Sequence, residues 1–195
     1  RTPVGRRIRA SIRDGLDESL SRWDHVNLFG YRLFPTSGAC DVGDYNALGK
    51  DGAYDWAALP TPSEGASTPI EAALTGLGLA FGDPNDGEIV ILITDGDETC
   101  ATQAGAVQAA SALRYRGVET HVIAVGATAN VPFLNQIAAV GGTGAAQVVV
   151  DQADLTATLE ALMHGAGFCG DCEWWDTSCN DGVLGACQLD QANKP

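Results

Sequence analysis

The sequence predicts an α/β fold, doubly wound, with a mostly parallel sheet and helices on both faces. Two observations predict it. Apolar strand segments alternate with amphipathic helical segments from Val26 to Gly165. The inner strands, such as Glu88–Thr94 ("EIVILIT"), are near-continuous apolar runs, the pattern of parallel strands covered by helices on both sides. The chain has 195 residues, 45% of them hydrophobic, which suits one domain with an ordinary core.

The elements follow in order. Val4, Ile8, Ile12, Leu16 and Leu20 recur every four residues after Pro3, the stripe of an amphipathic helix with proline in its first turn. His25–Pro35 reads as a strand, with Val26, Leu28, Tyr31 and Leu33 as its apolar positions and Pro35 as its end. Thr36–Gly65 is a long connection containing Cys40, Tyr45, Tyr54 and Trp56; connections of that length are usually functional or stapled. A second helix carries Ile70, Ala73, Leu74 and Leu77, with Ser67 or Thr68 as its cap and Pro69 in its first turn. Asp83–Gly87 is a turn by its Asp/Pro/Asn/Gly chemistry. Then come the strand Glu88–Thr94, a helix Gly105–Arg116, a strand Val118–Ala127, a helix Val131–Gly142, a strand Gln147–Asp151 and a helix Ala153–Ala166. Residues 1–167 form this domain. Residues 168–195 are a short Cys-rich tail with Trp174 and Trp175 and no helical or strand period.

Composition narrows the function. With 11 basic and 25 acidic residues the net charge is −14, which repels nucleic-acid phosphates and anionic lipid surfaces. The only basic run, Arg1, Arg6, Arg7, Arg9 and Arg13, lies in the first helix. No apolar run approaches the ~20 residues of a membrane span. Six cysteines beside a single methionine point to an oxidising, extracytoplasmic compartment. His25, His121 and His164 are scattered over different elements, no Gly-x-Ser-x-Gly elbow occurs, and no glycine-rich phosphate loop follows a strand. An enzyme is therefore not expected.

The chemistry-bearing stretch is "EIVILITDGDETC", where an apolar strand runs into Asp95, Gly96, Asp97 and Glu98. Ligands of open parallel sheets bind beyond the carboxyl ends of strands. A carboxylate at such an end is a hard oxygen ligand, and glycine after it lets the backbone turn sharply. The hydroxyl of Thr68, at the start of the preceding helix, opens from the same edge. The competing reading makes Asp95 a helix cap and leaves Asp97 and Glu98 solvated or supporting.

"LITDG" after an apolar strand, with "GASTPIEAAL" before it, resembles the von Willebrand factor A-type (VWA) domain. The resemblance runs over roughly Arg1–Gly165. That family carries a metal-ion-dependent adhesion site (MIDAS) built from an Asp-x-Ser-x-Ser loop, a second-loop Thr and a third-loop Asp. The resemblance implies Thr68 and Asp95 as metal ligands, Asp97 and Ser67 as candidate supporting residues around them, and Mg²⁺, or Mn²⁺ or Ca²⁺, as the ion. It implies a non-enzymatic adhesion module whose metal engages an acidic side chain on a protein partner.

The family's first strand and its Asp-x-Ser-x-Ser loop have no counterpart in the sequence. That strand is central in the family's sheet, between the equivalents of Val26–Phe34 and Glu88–Thr94. Without it, buried backbone groups go unpaired at ~1–3 kcal/mol each, so the chain alone is expected to fold poorly and to bind metal only when the loop is supplied. Two sources are open: a separate N-terminal fragment or strand donated by another chain, or upstream residues of a longer natural chain. The alternative function is a structural subunit of an extracellular assembly built on such donation.

Cys40 and Cys100 fall in loops at one end of the family's sheet, so a disulfide between them is expected. Cys169, Cys172, Cys179 and Cys187 are expected to form disulfides among themselves, with a zinc knuckle as the rival and a redox pair at Cys169 and Cys172 less favoured.

Overall fold

A computed structural model describes residues 3–20, 29–36, 39–47, 67–79, 81, 88–126 and 129–165. The Asp83–Gly87 turn, the tail 168–195 with its four cysteines, and most of Thr36–Gly65 lie outside the described residues.

The elements in chain order are α1 (Pro3–Leu20), β1 (Gly30–Tyr31), β2 (Asn46–Ala47), α2 (Ile70–Thr75) continuing into a 3₁₀ turn (Gly76–Leu79), β3 (Ile89–Thr94), α3 (Gln103–Tyr115), β4 (Glu119–Val125), α4 (Val131–Val140), β5 (Gln147–Val149) and α5 (Gln152–Gly165). β3, β4 and β5 form a parallel sheet in that order, and β1 pairs with β2 as an antiparallel ribbon. The register sets Leu92 beside Val122, Ile93 beside Ile123 and Val125 beside Val149.

Alternation along each strand sends its side chains to two cores. Val90, Leu92, Val122 and Ala124 pack with Ile70 and Leu74 of α2, Ala106, Ala110 and Leu113 of α3, and Phe133, Leu134 and Ile137 of α4. On the other face Ile123, Val125 and Val149 pack with Leu155, Leu159 and Leu162 of α5, and Ile12 and Leu16 of α1 join them. Gly15 lets α1 approach α5 closely, since a Cβ there would sit 3.0 Å from Leu155 Cδ2. Helices thus cover both faces, as the alternating pattern predicts.

Position in the sheet decides burial. β4 is paired on both sides, and Val122–Val125 are all buried. β3 pairs with β4 alone among the described residues, and its burial alternates: Val90, Leu92 and Thr94 are buried, whereas Ile89, Ile91 and Ile93 are half-buried.

Two expectations need correction. The strand expected over His25–Pro35 shrinks, within the described part, to Gly30–Tyr31. Phe29, Tyr31 and Leu33 do pack on Leu20 and Met163 beside Ile89 and Ile91. Apolar alternation is therefore used, but a strand needs a backbone partner, and the one present is the two-residue β2. Arg32 anchors the segment instead, donating from Nε to the Gly43 carbonyl at 2.8 Å and lying over Gly76 at the end of α2. The second correction concerns the α2 cap. Its N-cap position is Pro69, with no side-chain cap bond, so neither Ser67 nor Thr68 caps it; a carboxylate from a distant loop takes that role, as described below.

His121 lies in β4, half-buried, with Nε2 3.9 Å from Glu119 Oε2. Burial pushes its pKa below the ordinary 6.5, partly opposed by Glu119. A folded state that favours neutral histidine gains stability that is complete above pH 6.5. That stability is lost as pH falls from there toward the lowered folded value. Urea melts at several pH values are expected to show this decline, and His121→Gln is expected to flatten it.

Candidate metal-binding edge

Because β3 and β4 are parallel, the loops leaving their carboxyl ends open on one edge, beside the segment that enters α2. Asp95 follows β3 directly. The buried Thr94 accepts the Gly96 N–H on its hydroxyl at 3.2 Å, turning the chain so that Asp95 stands exposed. The Asp95 carboxylate makes no hydrogen bond or ion pair among the described residues.

Thr68 sits against this turn. A Cβ at Gly96 would lie 2.9 Å from Thr68 Oγ1, so glycine is what allows the hydroxyl to reach the backbone next to Asp95. The two loops are also tied by a reciprocal pair: the Thr68 N–H donates to Thr99 Oγ1 at 2.7 Å and the Thr99 N–H donates to the Thr68 carbonyl at 3.2 Å. Ser67 is half-buried beside Thr68.

The other two acids of the run are engaged. Asp97 accepts from the Glu98 N–H (3.1 Å) and Gln103 Nε2 (2.8 Å) on one oxygen and from Asn130 Nδ2 (2.9 Å) on the other. Asn130 also caps α4 through the Phe133 N–H at 3.3 Å, so Asp97 fastens the β3 loop to the loop after β4. Glu98 is 8% exposed. Its Oε2 accepts the Glu71 N–H of α2 at 2.7 Å, and its Oε1 accepts the N–H groups of Cys100 (2.8 Å) and Ala101 (3.0 Å). The solvated alternative for Glu98 is thereby corrected: three backbone donors replace water around its charge. The sequence marked Glu98 only as a member of the acidic run, and nothing in it singled out Thr99, Gln103 or Asn130. The only signal for them is their closeness to Asp95 and to a helix start.

Cys40 and Cys100 form a disulfide with Cα atoms 5.4 Å apart, joining the 39–47 segment to the rim of this edge. Chemically, the edge offers two hard oxygen groups, the Thr68 hydroxyl and the Asp95 carboxylate. Both are of the donor type that small hard divalent cations take. No group of three or more His, Cys, Asp or Glu able to hold a metal exists among the described residues.

No protein-family model matches the chain, and no curated protein matches it. Solved structures do: two crystal structures of proximal thread matrix protein 1 from the mussel byssus, at 19% and 18% identity, each with a TM-score of 0.60, covering 81% of this chain. A third structure of that mussel protein, with a zinc-occupied MIDAS motif, matches at 19% identity with the same TM-score. The chain spans 42% of the length of each. The likeness establishes the fold, which in coarse outline is of the von Willebrand factor A type.

The disulfide closes a sequence separation of 60 residues. Replacing Cys40 and Cys100 together by Ser is expected to lower stability by about 2–5 kcal/mol, measured by urea denaturation.

Proposed function

We propose that the chain is a non-enzymatic, extracytoplasmic binding module whose Thr68 and Asp95 help hold a divalent cation that engages an acidic side chain of a protein partner. The observation that carries this reading is the exposed Asp95 carboxylate, without a hydrogen bond or ion pair among the described residues, at a turn against which the Thr68 hydroxyl sits, in a run whose other acids are committed to holding loops. An all-oxygen donor pair favours Mg²⁺, with Mn²⁺ or Ca²⁺ as substitutes. The zinc-occupied MIDAS motif of the mussel matrix protein makes a divalent ion plausible for a chain of similar fold. When bound, the cation supplies positive charge between two acidic surfaces, which gives a protein of net charge −14 a way to hold an acidic ligand. The Asp-x-Ser-x-Ser loop of the family, if provided upstream or by another chain, would complete the shell. The Cys40–Cys100 disulfide fits an oxidising compartment, and no helix among the described residues is long and apolar enough to cross a membrane.

Asp95→Ala is expected to abolish cation-dependent partner binding, as chelation with EDTA should in the unmodified protein. Because Asp95 is exposed, unfolding stability should move by less than about 0.5 kcal/mol. Binding that survives both treatments in a pull-down or titration would sink the reading.

A second reading, a structural subunit of an extracellular assembly, is favoured by the β3 edge. β3 is paired on one side among the described residues, and its own Ile89, Ile91 and Ile93, on the face toward α1 and α5, stay half-buried, with Phe29, Tyr31 and Leu33 packed nearby. An extended apolar strand donated by a separate fragment or another chain would pair with this edge and cover those isoleucines. Intact-mass analysis of native material under denaturing conditions is then expected to return a second polypeptide. A single species carrying an upstream Asp-x-Ser-x-Ser segment would rule donation out.

A further inference from the structure

The buried Glu98 carboxylate raises a question of its own, because it faces away from solvent at an edge where an acid could serve as a ligand. Its lone pairs go to three backbone donors from two separate segments. One is Glu71, three residues after Thr68; the others are Cys100 and Ala101, in the loop that begins at Asp95. One oxygen therefore holds the Thr68 segment and the other holds the Asp95 loop, through a rigid carboxylate. The Thr68–Thr99 pair is a second tie between the same two segments. A carboxylate 8% exposed is retained in a protein only where its charge is met, and here the groups that meet it are the backbones carrying the two candidate ligands.

We propose that Glu98 is a positioning residue of the cation site: it fixes the spacing between the Thr68 hydroxyl and the Asp95 carboxylate and does not itself touch the ion. The proposal rests on the cation-site reading above. Its chemistry is that of outer-shell partners, which hold ligands in place and whose loss typically lowers metal affinity roughly 10- to 100-fold. Glutamine in place of Glu98 keeps the shape but retains one acceptor oxygen. Its NH₂ group would face a backbone N–H, donor against donor, so one of the two segments is released.

The test uses the protein together with the segment, upstream or from another chain, that supplies the Asp-x-Ser-x-Ser loop, and Mn²⁺ alone as the probe, read by titration and by electron paramagnetic resonance of the bound ion. Glu98→Gln is expected to weaken Mn²⁺ binding roughly 10- to 100-fold and to change the line shape of the bound ion. Thr99→Ala, at an exposed position, removes the acceptor for the Thr68 N–H and is expected to weaken binding in the same direction, less severely. Leu159→Val is the control for stability alone, since Leu159 is fully buried in the core on the α5 side; it should lower the melting temperature and leave the Mn²⁺ affinity and line shape unchanged. Equal Mn²⁺ affinity in the unmodified protein and Glu98→Gln would overturn the positioning role while leaving the cation site standing. Should Glu98→Gln not fold, unchanged affinity in Thr99→Ala would overturn it instead. If Leu159→Val weakens Mn²⁺ binding as much as the others, the effect is global and the proposal fails. An unmodified protein that takes up no Mn²⁺ overturns both the site and the role assigned to Glu98.

Discussion

The parallel pairing of β3, β4 and β5 is the constraint on which the rest of the structure depends. Parallel neighbours cannot be joined by a tight hairpin, so each return must cross the sheet through a helix. Here α3 and α4 make those crossings and pack on one face, while α1 and α5 cover the other. The same pairing sends the carboxyl ends of β3 and β4 to one edge. Asp95 and Asn130 are 35 residues apart in the chain yet belong to adjacent loops there, linked through Asp97. The edge is thus a consequence of the ladder, and its acidity is a consequence of which residues happen to follow β3.

Within that run three neighbouring acids have three fates. Asp95 is exposed at the tip of the turn made by Thr94 and Gly96. Asp97 divides its oxygens between its own loop and the start of α4. Glu98, longer by one methylene, reaches inward and replaces its water shell with backbone N–H groups. Charge near a helix start is favourable, and the Glu98 contact to Glu71 N–H serves α2 where Pro69 offers no side-chain cap. Stability and candidate chemistry therefore share one stretch without sharing residues.

Much of the scaffold was legible because it rests on local periodicity. The four-residue spacing from Val4 to Leu20 marks α1, and the apolar run before Asp95 marks β3. The His25–Pro35 pattern misled for a physical reason: alternation reports which side chains meet a core, and Phe29, Tyr31 and Leu33 do meet one. It does not report whether a backbone partner exists. The Ser67/Thr68 cap misled in a similar way, since a side chain suited to capping was outcompeted by the Glu98 carboxylate, 27 residues beyond the Glu71 N–H it accepts.

By itself the sequence determined the layered α/β order, the acidic character of the chain, and the presence of a carboxylate and a hydroxyl in segments flanking one strand. These follow from hydrophobic period and from residue type. Only the tertiary structure decided that Gly96 lets Thr68 sit against the Asp95 turn, that Glu98 is buried and binds two segments together, and that β3 keeps three isoleucines half-buried on one face. Each of those depends on contacts between residues distant in the chain. Burial and hydrogen-bond satisfaction are set by what lies opposite a group, which no local pattern encodes.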